Sequence, residues 1–472
     1  MFFPLIKNEK FQSLKSNKIF LELFCFVISL ITILGWTFNF LAGAITLLVV
    51  SIATILLFWD LKMIIPIILN CIFLINNEFK FTTDNFPIVL PIMAALFLIV
   101  LIIYLCFNGI DFKKGKNKIA FLLLAIFAIL PIFWMKVVDA NDTVITLTKE
   151  QSFLKLLYFN WLIYFFIYII FLNGIKEDSM DITLKSFTYI PLVLMVEEII
   201  TTTKDPNWFN HMNSLAVNMG WGIGNEAGIM ILFVLPFIFY RFIKGDMKVK
   251  ILSSLMVITS IVVTIFTFSR GGYLAIPLEI LFMIFLYLLY AFKTSNANKK
   301  AKIELIIFSS VVALLTIVGV LLALKFDLFK KVFNGNYGTS HRTDLLYPQA
   351  FRLWTSSPLN FLLGSGIINR IDKWNRFVVY HSTLFETMAV MGLMGLITMA
   401  WHFYVKYRTV LKNFDLLGLF VLVSYLCTDA YGMLDNTYHM YYFMTYLCLF
   451  LAIYERHIEL TYLNTEMTKE TF

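Results

Sequence analysis

Charge is scarce in this sequence of 472 residues. Asp, Glu, Lys and Arg together make up 14% of it, and 60% is hydrophobic. A soluble chain is nearer ~25% charged and ~45–50% apolar. So little charge cannot give a folded core a polar skin. Soluble enzymes, secreted disulfide scaffolds, disordered tails and fibrous proteins are excluded. Cysteine is also sparse. Cys25, Cys71, Cys106, Cys427 and Cys448 all lie in apolar runs, and none forms a CxxC pair. They read as buried small hydrophobes. There is no GxxxxGK[ST] phosphate loop, no DxD-like acidic pair, no His/Cys cluster, no internal repeat and no low-complexity tract.

What is present is a series of long apolar runs, with a mean hydropathy of +0.81. They fall near 19–36, 39–59, 62–75, 86–107, 119–137, 152–174, 185–200, 223–243, 250–269, 271–292, 304–325, 382–404, 414–430 and 438–456. Continuous runs of this length predict membrane-crossing helices, whereas barrel strands would alternate. The expected fold is therefore all-α and polytopic, with about 12–14 spans. Residues 1–325 form transmembrane helices, 326–381 a large outer loop, 382–456 the C-terminal transmembrane helices, and 457–472 a cytoplasmic tail. The first run follows Lys7, Lys10, Lys15 and Lys18 without a small-x-small cleavage site, and reads as an uncleaved helix.

The net charge of +8 would indicate nucleic acid in a soluble chain; here it reads as the positive inner loops of a membrane protein. With the N-terminus inside, 24 basic residues fall in inner segments and six in outer ones, leaving the 326–381 loop aside. That asymmetry predicts cytoplasmic N- and C-termini. The outer loop runs against the bias, holding Lys330, Lys331, Arg342, Arg352, Arg370, Lys373 and Arg376 against Asp327, Asp344 and Asp372. Within it, Leu346, Ala350 and Trp354 share one helical face, which predicts a short amphipathic helix on the outer leaflet. Gly364-Ser365-Gly366 then predicts a turn.

Three groups of residues on the outer side can carry chemistry. Ser269-Arg270-Gly271-Gly272 stands at the end of a helix pair. A guanidinium there suits phosphate oxygens, and the alternative is a snorkelling interfacial Arg. Arg342, beside His341 and Asp344, opens the amphipathic stretch with Arg352 and Arg376 downstream. Such a basic surface attracts an anionic lipid-linked substrate; the alternative is headgroup binding or a weak Arg342–Asp344 pair. His381-Ser382 enters the next span, followed by Glu386, Gly392 and Gly395. The imidazole can act as a base or hold a hydroxyl, or be merely structural. Gly392 and Gly395 are expected on one helix face, allowing close packing.

The order and spacing of these pieces resemble the O-antigen ligase/polymerase family of integral-membrane glycosyltransferases. The resemblance is carried by Ser269-Arg270-Gly271-Gly272, by Arg342 with Tyr347 and Ala350, and by Pro358 with Gly364-x-Gly366. It is completed by His381-Ser382 with Gly392-x-x-Gly395, and extends to Asn225-Glu226-Ala227 and Leu235-Pro236. It covers roughly 220–400. The resemblance implies a GT-C-type fold in the bacterial cytoplasmic membrane and transfer of glycan from an undecaprenyl-pyrophosphate carrier to an acceptor hydroxyl, without metal or other cofactor. By it, His381, Arg270 and Arg342 are catalytic, while Ser269, Gly271, Gly272, His341, Arg352, Arg376, Asn225 and Glu226 bind substrate. The implied partners are the lipid-linked oligosaccharide, a glycan acceptor, membrane lipid, a flippase and a chain-length regulator, and no nucleic acid. Abundant Phe, Ile, Lys and Asn suggest AT-rich coding and favour a capsule or exopolysaccharide polymerase over an O-antigen ligase. A polysaccharide flippase remains the alternative from another class; it would put its polar residues at the bilayer midplane.

Overall fold

A computed structural model describes residues 9–74, 89–138, 144–145, 157–204, 224–267, 269–293, 310, 342–370 and 379–470. The apolar runs become helices: α1 (Glu9–Leu14), α2 (Lys18–Thr37), α3 (Phe40–Phe58), α4 (Ile65–Cys71), α5 (Val89–Asn108), α6 (Lys118–Ile129), α7 (Asn160–Gly174) and α8 (Met180–Lys204). The order continues with α9 (Gly224–Lys244), α10 (Met247–Phe266), α11 (Arg270–Lys293), α12 (Tyr347–Trp354), α13 (Pro358–Leu363), α14 (Thr383–Lys412), α15 (Leu416–Leu434) and α16 (Tyr441–Glu470). Among the described residues the fold is all-α apart from a pair of two-residue strands, Val137–Val138 against Val144–Ile145, and an isolated bridge between Val138 and Arg370.

Among the described residues, eight helices are long and apolar enough to cross a membrane, and three shorter apolar stretches accompany them. That is fewer than the fourteen runs. The 62–75 run is broken into 3-10 and α pieces around Pro66, whose ring cannot continue an i→i−4 ladder. The 304–325 run, residue 310 aside, lies outside the described residues. Apolar side chains face outward on the peripheral helices: only 28% of α3's apolar window is buried, against 78% for α9. Burial inside protein and apolar character are thus separate properties, as expected where the surrounding medium is itself apolar. At the centre, Phe187, Phe233, Phe237, Tyr446 and Phe450 interlock with ring centroids 4.8–6.4 Å apart.

One expectation fails here. Cys71 and Cys106 are exposed on the bundle surface, not buried; thiols tolerate an apolar-facing surface as well as a core. α16 continues to Glu470 and carries the Arg456–Glu459 pair (2.7 Å) one turn apart.

One end of the bundle collects charge. Lys15 and Lys62 both reach Glu177 (3.0 and 3.4 Å), and Lys15 also approaches Asp60. Burial opposes the Glu177 charge, but the two ammonium groups outweigh it and hold that carboxyl below its ordinary range. Lys114 and Arg456 meet Glu459 at the same end. These are the segments assigned to the inner side by charge.

Candidate functional site

At the other end, α11 begins. Ser269 is its N-cap: the Oγ accepts the backbone N–H of Gly272 at 3.1 Å, satisfying one of the orphan donors of the first turn. The same hydroxyl donates to Asn225 Oδ1 at 2.8 Å, and lies 3.2 Å from the Tyr431 hydroxyl. Asn225, on the first turn of α9, passes the chain on by donating Nδ2–H to Asp435 Oδ2 at 3.1 Å. The other carboxylate oxygen accepts the Asn436 N–H at 2.9 Å and faces His381 Nδ1 at 3.3 Å. Hydrogen bonds linked in one direction polarise each other, which strengthens the last bond of the chain, from Asn225 to Asp435.

Asp435 is 3% exposed and His381 35% exposed at the side chain, so the acid is sheltered and the imidazole reaches the surface. With Nδ1–H donated to the carboxylate, Nε2 keeps a free lone pair. His381 itself adopts a left-handed backbone (φ 49°). Such a conformation in a residue with a Cβ costs energy and persists only where neighbours enforce it. They do: Glu386 accepts the Tyr380 N–H at 2.7 Å, Tyr380 donates its hydroxyl to Asn369 at 3.0 Å, and Thr383 donates both N–H and Oγ–H to the Asp435 carbonyl. Glu386, an acid near the start of an apolar helix, is thus the clamp that sets the His381 turn.

Arg342 joins from the segment that leads into α12. Its guanidinium donates to the carbonyl of Leu434, the residue before Asp435. The stretch 342–346 is a π-turn leading into α12, whose apolar face carries Leu346 and Ala350. That face packs on Tyr380, Met388 and Ala389 of the His381 region, with Tyr347 stacked on Phe385 at 4.2 Å. The amphipathic helix expected to lie on lipid therefore lies on α14. Phe351 of α12 and Leu359 and Leu362 of α13 remain exposed.

The structure thus brings Ser269, Asn225, His381 and Arg342 around residues 431–435. Gly271 and Gly272 serve packing: a Cβ on Gly271 would stand 2.6 Å from the Tyr431 ring. Glu226 lies within electrostatic range of Tyr431 and Tyr441. Arg352 is exposed on α12, and no described contact joins it to this group. Arg270 opens α11 beside Ser269, but its side chain lies outside the described set, as do His341 and Arg376 entirely. The residues missed from sequence are Tyr431 and Asp435. The only available signal was an Asp-Asn pair between two apolar runs.

Gly392 departs from expectation. It does not share a continuous helical face with Gly395; it breaks α14, with φ 67° and ψ −161°. The freed backbone pairs with the Gly-x-Gly segment: Ser365 N–H bonds Ala389 O (2.8 Å) and Gly366 N–H bonds Val390 O (3.0 Å). Gly364 is itself at φ 80°, and backbone atoms of the Val390–Met391 peptide occupy the space of its missing Cβ. Both glycine motifs therefore serve one backbone-to-backbone contact. Among the described residues, no group of three His, Cys, Asp or Glu side chains is placed to hold a metal ion.

Compared with protein-family models, with curated proteins and with solved structures, the chain matches none.

Proposed function

We propose that this protein is a multi-pass membrane glycosyltransferase of the bacterial cytoplasmic membrane, moving an oligosaccharide from a lipid pyrophosphate carrier to an acceptor hydroxyl. The observation that carries the reading is the His381–Asp435 pair, linked through Asn225 to Ser269 and flanked by Arg342, at one end of a bundle of apolar helices. In the reaction, the acceptor oxygen attacks the anomeric carbon and the C–O bond to pyrophosphate breaks. His381 Nε2 takes the acceptor's proton, as its Nδ1–H is held by Asp435. The departing lipid pyrophosphate gains negative charge, which guanidinium forks at Arg342 and Arg270 stabilise. The energy resides in the carrier, so the transfer requires no nucleotide. Polymerisation of capsule or exopolysaccharide repeats is the finer reading, with ligase-type transfer to a lipid or protein acceptor behind it.

The test is turnover of a lipid-pyrophosphate-linked repeat by purified protein. Arg342→Ala and Arg270→Ala should each lower turnover about 10²-fold or more, as loss of a preorganised charge partner does. Lys at either position should retain part of the activity, since it keeps the charge without the fork. Normal polymer from both alanine variants would remove the pyrophosphate role.

A flippase gains support from one observation, a fully buried Lys406–Asp429 pair far along α14 from the His381 end. A flippase would translocate the lipid-linked repeat without lengthening it, so the same assay separates the two.

Orientation follows from the charge at the Glu177 end, which should be cytoplasmic. A cysteine introduced at Ser356, exposed between α12 and α13, should react with an impermeant maleimide in intact cells, while one at Asp246 should react only after lysis. The opposite pattern inverts the topology.

A further inference from the structure

Lys406 was counted with the inner loop charges on sequence, yet it is completely buried in α14. Its ammonium contacts both oxygens of Asp429 on α15 (2.8 and 2.6 Å) and the Tyr438 hydroxyl (2.6 Å). Three donors meet three acceptors, so the cation is fully satisfied. Tyr438 donates in turn to Asp429 Oδ1 (2.7 Å), and Tyr407 to Oδ2 (2.6 Å). Rings of Phe403, Tyr407, Tyr425 and Tyr438 surround the ammonium at 4.7–5.3 Å. Buried ion pairs add little net stability over apolar side chains of equal volume, so a cluster this complete calls for another use.

Tyr438 shows what that use is. It sits three residues after Asp435, in the turn 435–440 between α15 and α16. Besides Asn225, which ties Asp435 to α9, the neutral anchors of this turn reach the short part of α14 before Gly392. Thr383 bonds the Asp435 carbonyl, Thr437 Oγ1 lies 3.4 Å from Thr383 Oγ1, and His439 Nε2 lies 3.1 Å from Thr387. His381 precedes that same short part. Lys406 and Tyr407 belong to the long part after Gly392. The charged cluster links the turn to the long part of α14, beyond the Gly392 break.

We infer that Lys406, Asp429 and Tyr438 are positioning residues for the His381–Asp435 pair: the buried ion pair grips the Tyr438 hydroxyl and so fixes where Asp435 meets the imidazole. This rests on the glycosyltransferase reading for its catalytic consequence, but the placement itself does not.

Tyr438→Phe is the cleanest test, since it removes one hydroxyl and keeps the ion pair and ring packing. Turnover of the lipid-pyrophosphate-linked repeat should fall about 10- to 100-fold in kcat with donor KM unchanged, as for a catalytic group displaced by a fraction of an ångström to 1 Å. Lys406→Ala should lose turnover and regain part of it with added ethylamine, which refills the cage with an ammonium. A Lys406→Met/Asp429→Leu double variant, freed of uncompensated charge, should stay folded and remain slow. A second readout needs no substrate: the rate at which diethyl pyrocarbonate modifies His381, read by mass spectrometry with His457 at the opposite end as control. Tyr438→Phe should change the His381 rate in the same direction as Asp435→Asn and leave His457 unchanged. A wild-type His381 rate in Tyr438→Phe, or wild-type turnover in the double variant, overturns the inference. If wild-type protein fails to use the repeat at all, the functional reading falls, and the labelling still decides the positioning.

Discussion

Alanine at position 392 is expected to leave little folded protein. Gly392 combines φ 67° with ψ −161°, a region essentially reserved for glycine, where any side chain costs about 1–3 kcal/mol. The added Cβ would also stand 2.5 Å from the Gly364 nitrogen and 2.6 Å from the Leu362 carbonyl carbon. Those are backbone atoms and cannot swing aside. Overpacking of this kind adds about 1–3 kcal/mol. The sum is a large part of the ~5–15 kcal/mol that holds a typical domain together. Gly109 offers the control. It also has a positive φ (72°), but nothing lies within 4 Å of its would-be Cβ. Gly109→Ala should therefore cost only about 1–2 kcal/mol. Thermal unfolding of both variants in detergent, with folded yield by size exclusion, compares them. Equal and mild losses would mean that the Gly364–Gly392 backbone contact does not exist in the protein.

Much of the fold is legible in the sequence because the helices are long and apolar, and period is not needed to find them. Six of the eight spans agree with the runs to within four residues at both ends, while the 152–174 run starts five residues before Leu157 and the 382–404 run stops eight short of Lys412. The lost detail has specific causes. Gly392 and Gly395 have the i, i+3 spacing of a helical packing face, and nothing local distinguishes that from a break. The break depends on Gly364, 28 positions earlier, offering its own backbone as partner. Lys406 looked like a loop charge because charge near the end of an apolar run usually is one. Its actual partner, Asp429, lies in the following helix, and sequence distance hides such pairs.

The site was half legible for a related reason. Ser269, Arg342 and His381 each stand out as polar residues at the edge of apolar segments. Their convergence does not show, since it is made by residues 431–435 at the end of α15. Asp435 accepts from three separate segments (His381, Asn225 and its own Asn436 N–H) and only a folded chain reveals that. Asn225 and Ser269 were marked as substrate-binding by resemblance. In the fold Ser269 donates to Asn225 and Asn225 donates to Asp435, so the two form a relay that ends on the acid.

The largest effect on activity is expected at His381. In His381→Ala the acceptor hydroxyl loses its base, and turnover should fall about 10²- to 10⁴-fold. Donor binding should survive, because the pyrophosphate charge is carried by the guanidinium of Arg342 on a different element. Asp435→Asn should be milder. An asparagine offers one acceptor oxygen where the carboxylate serves His381, Asn436 and Asn225 with two. One buried donor is then left facing an amide N–H, a loss of about 1–3 kcal/mol, or roughly 10- to 100-fold in rate. The ordering separates the roles assigned by the proposed mechanism, in which His381 touches the reacting hydroxyl and Asp435 acts through it. If the two substitutions act on one unit, the double variant should be no slower than His381→Ala alone. Multiplying losses would instead mean that Asp435 works independently of the imidazole. Turnover of His381→Ala within a few-fold of wild type, with donor binding intact, would leave His381 as a structural residue whose left-handed backbone merely closes the loop onto α14.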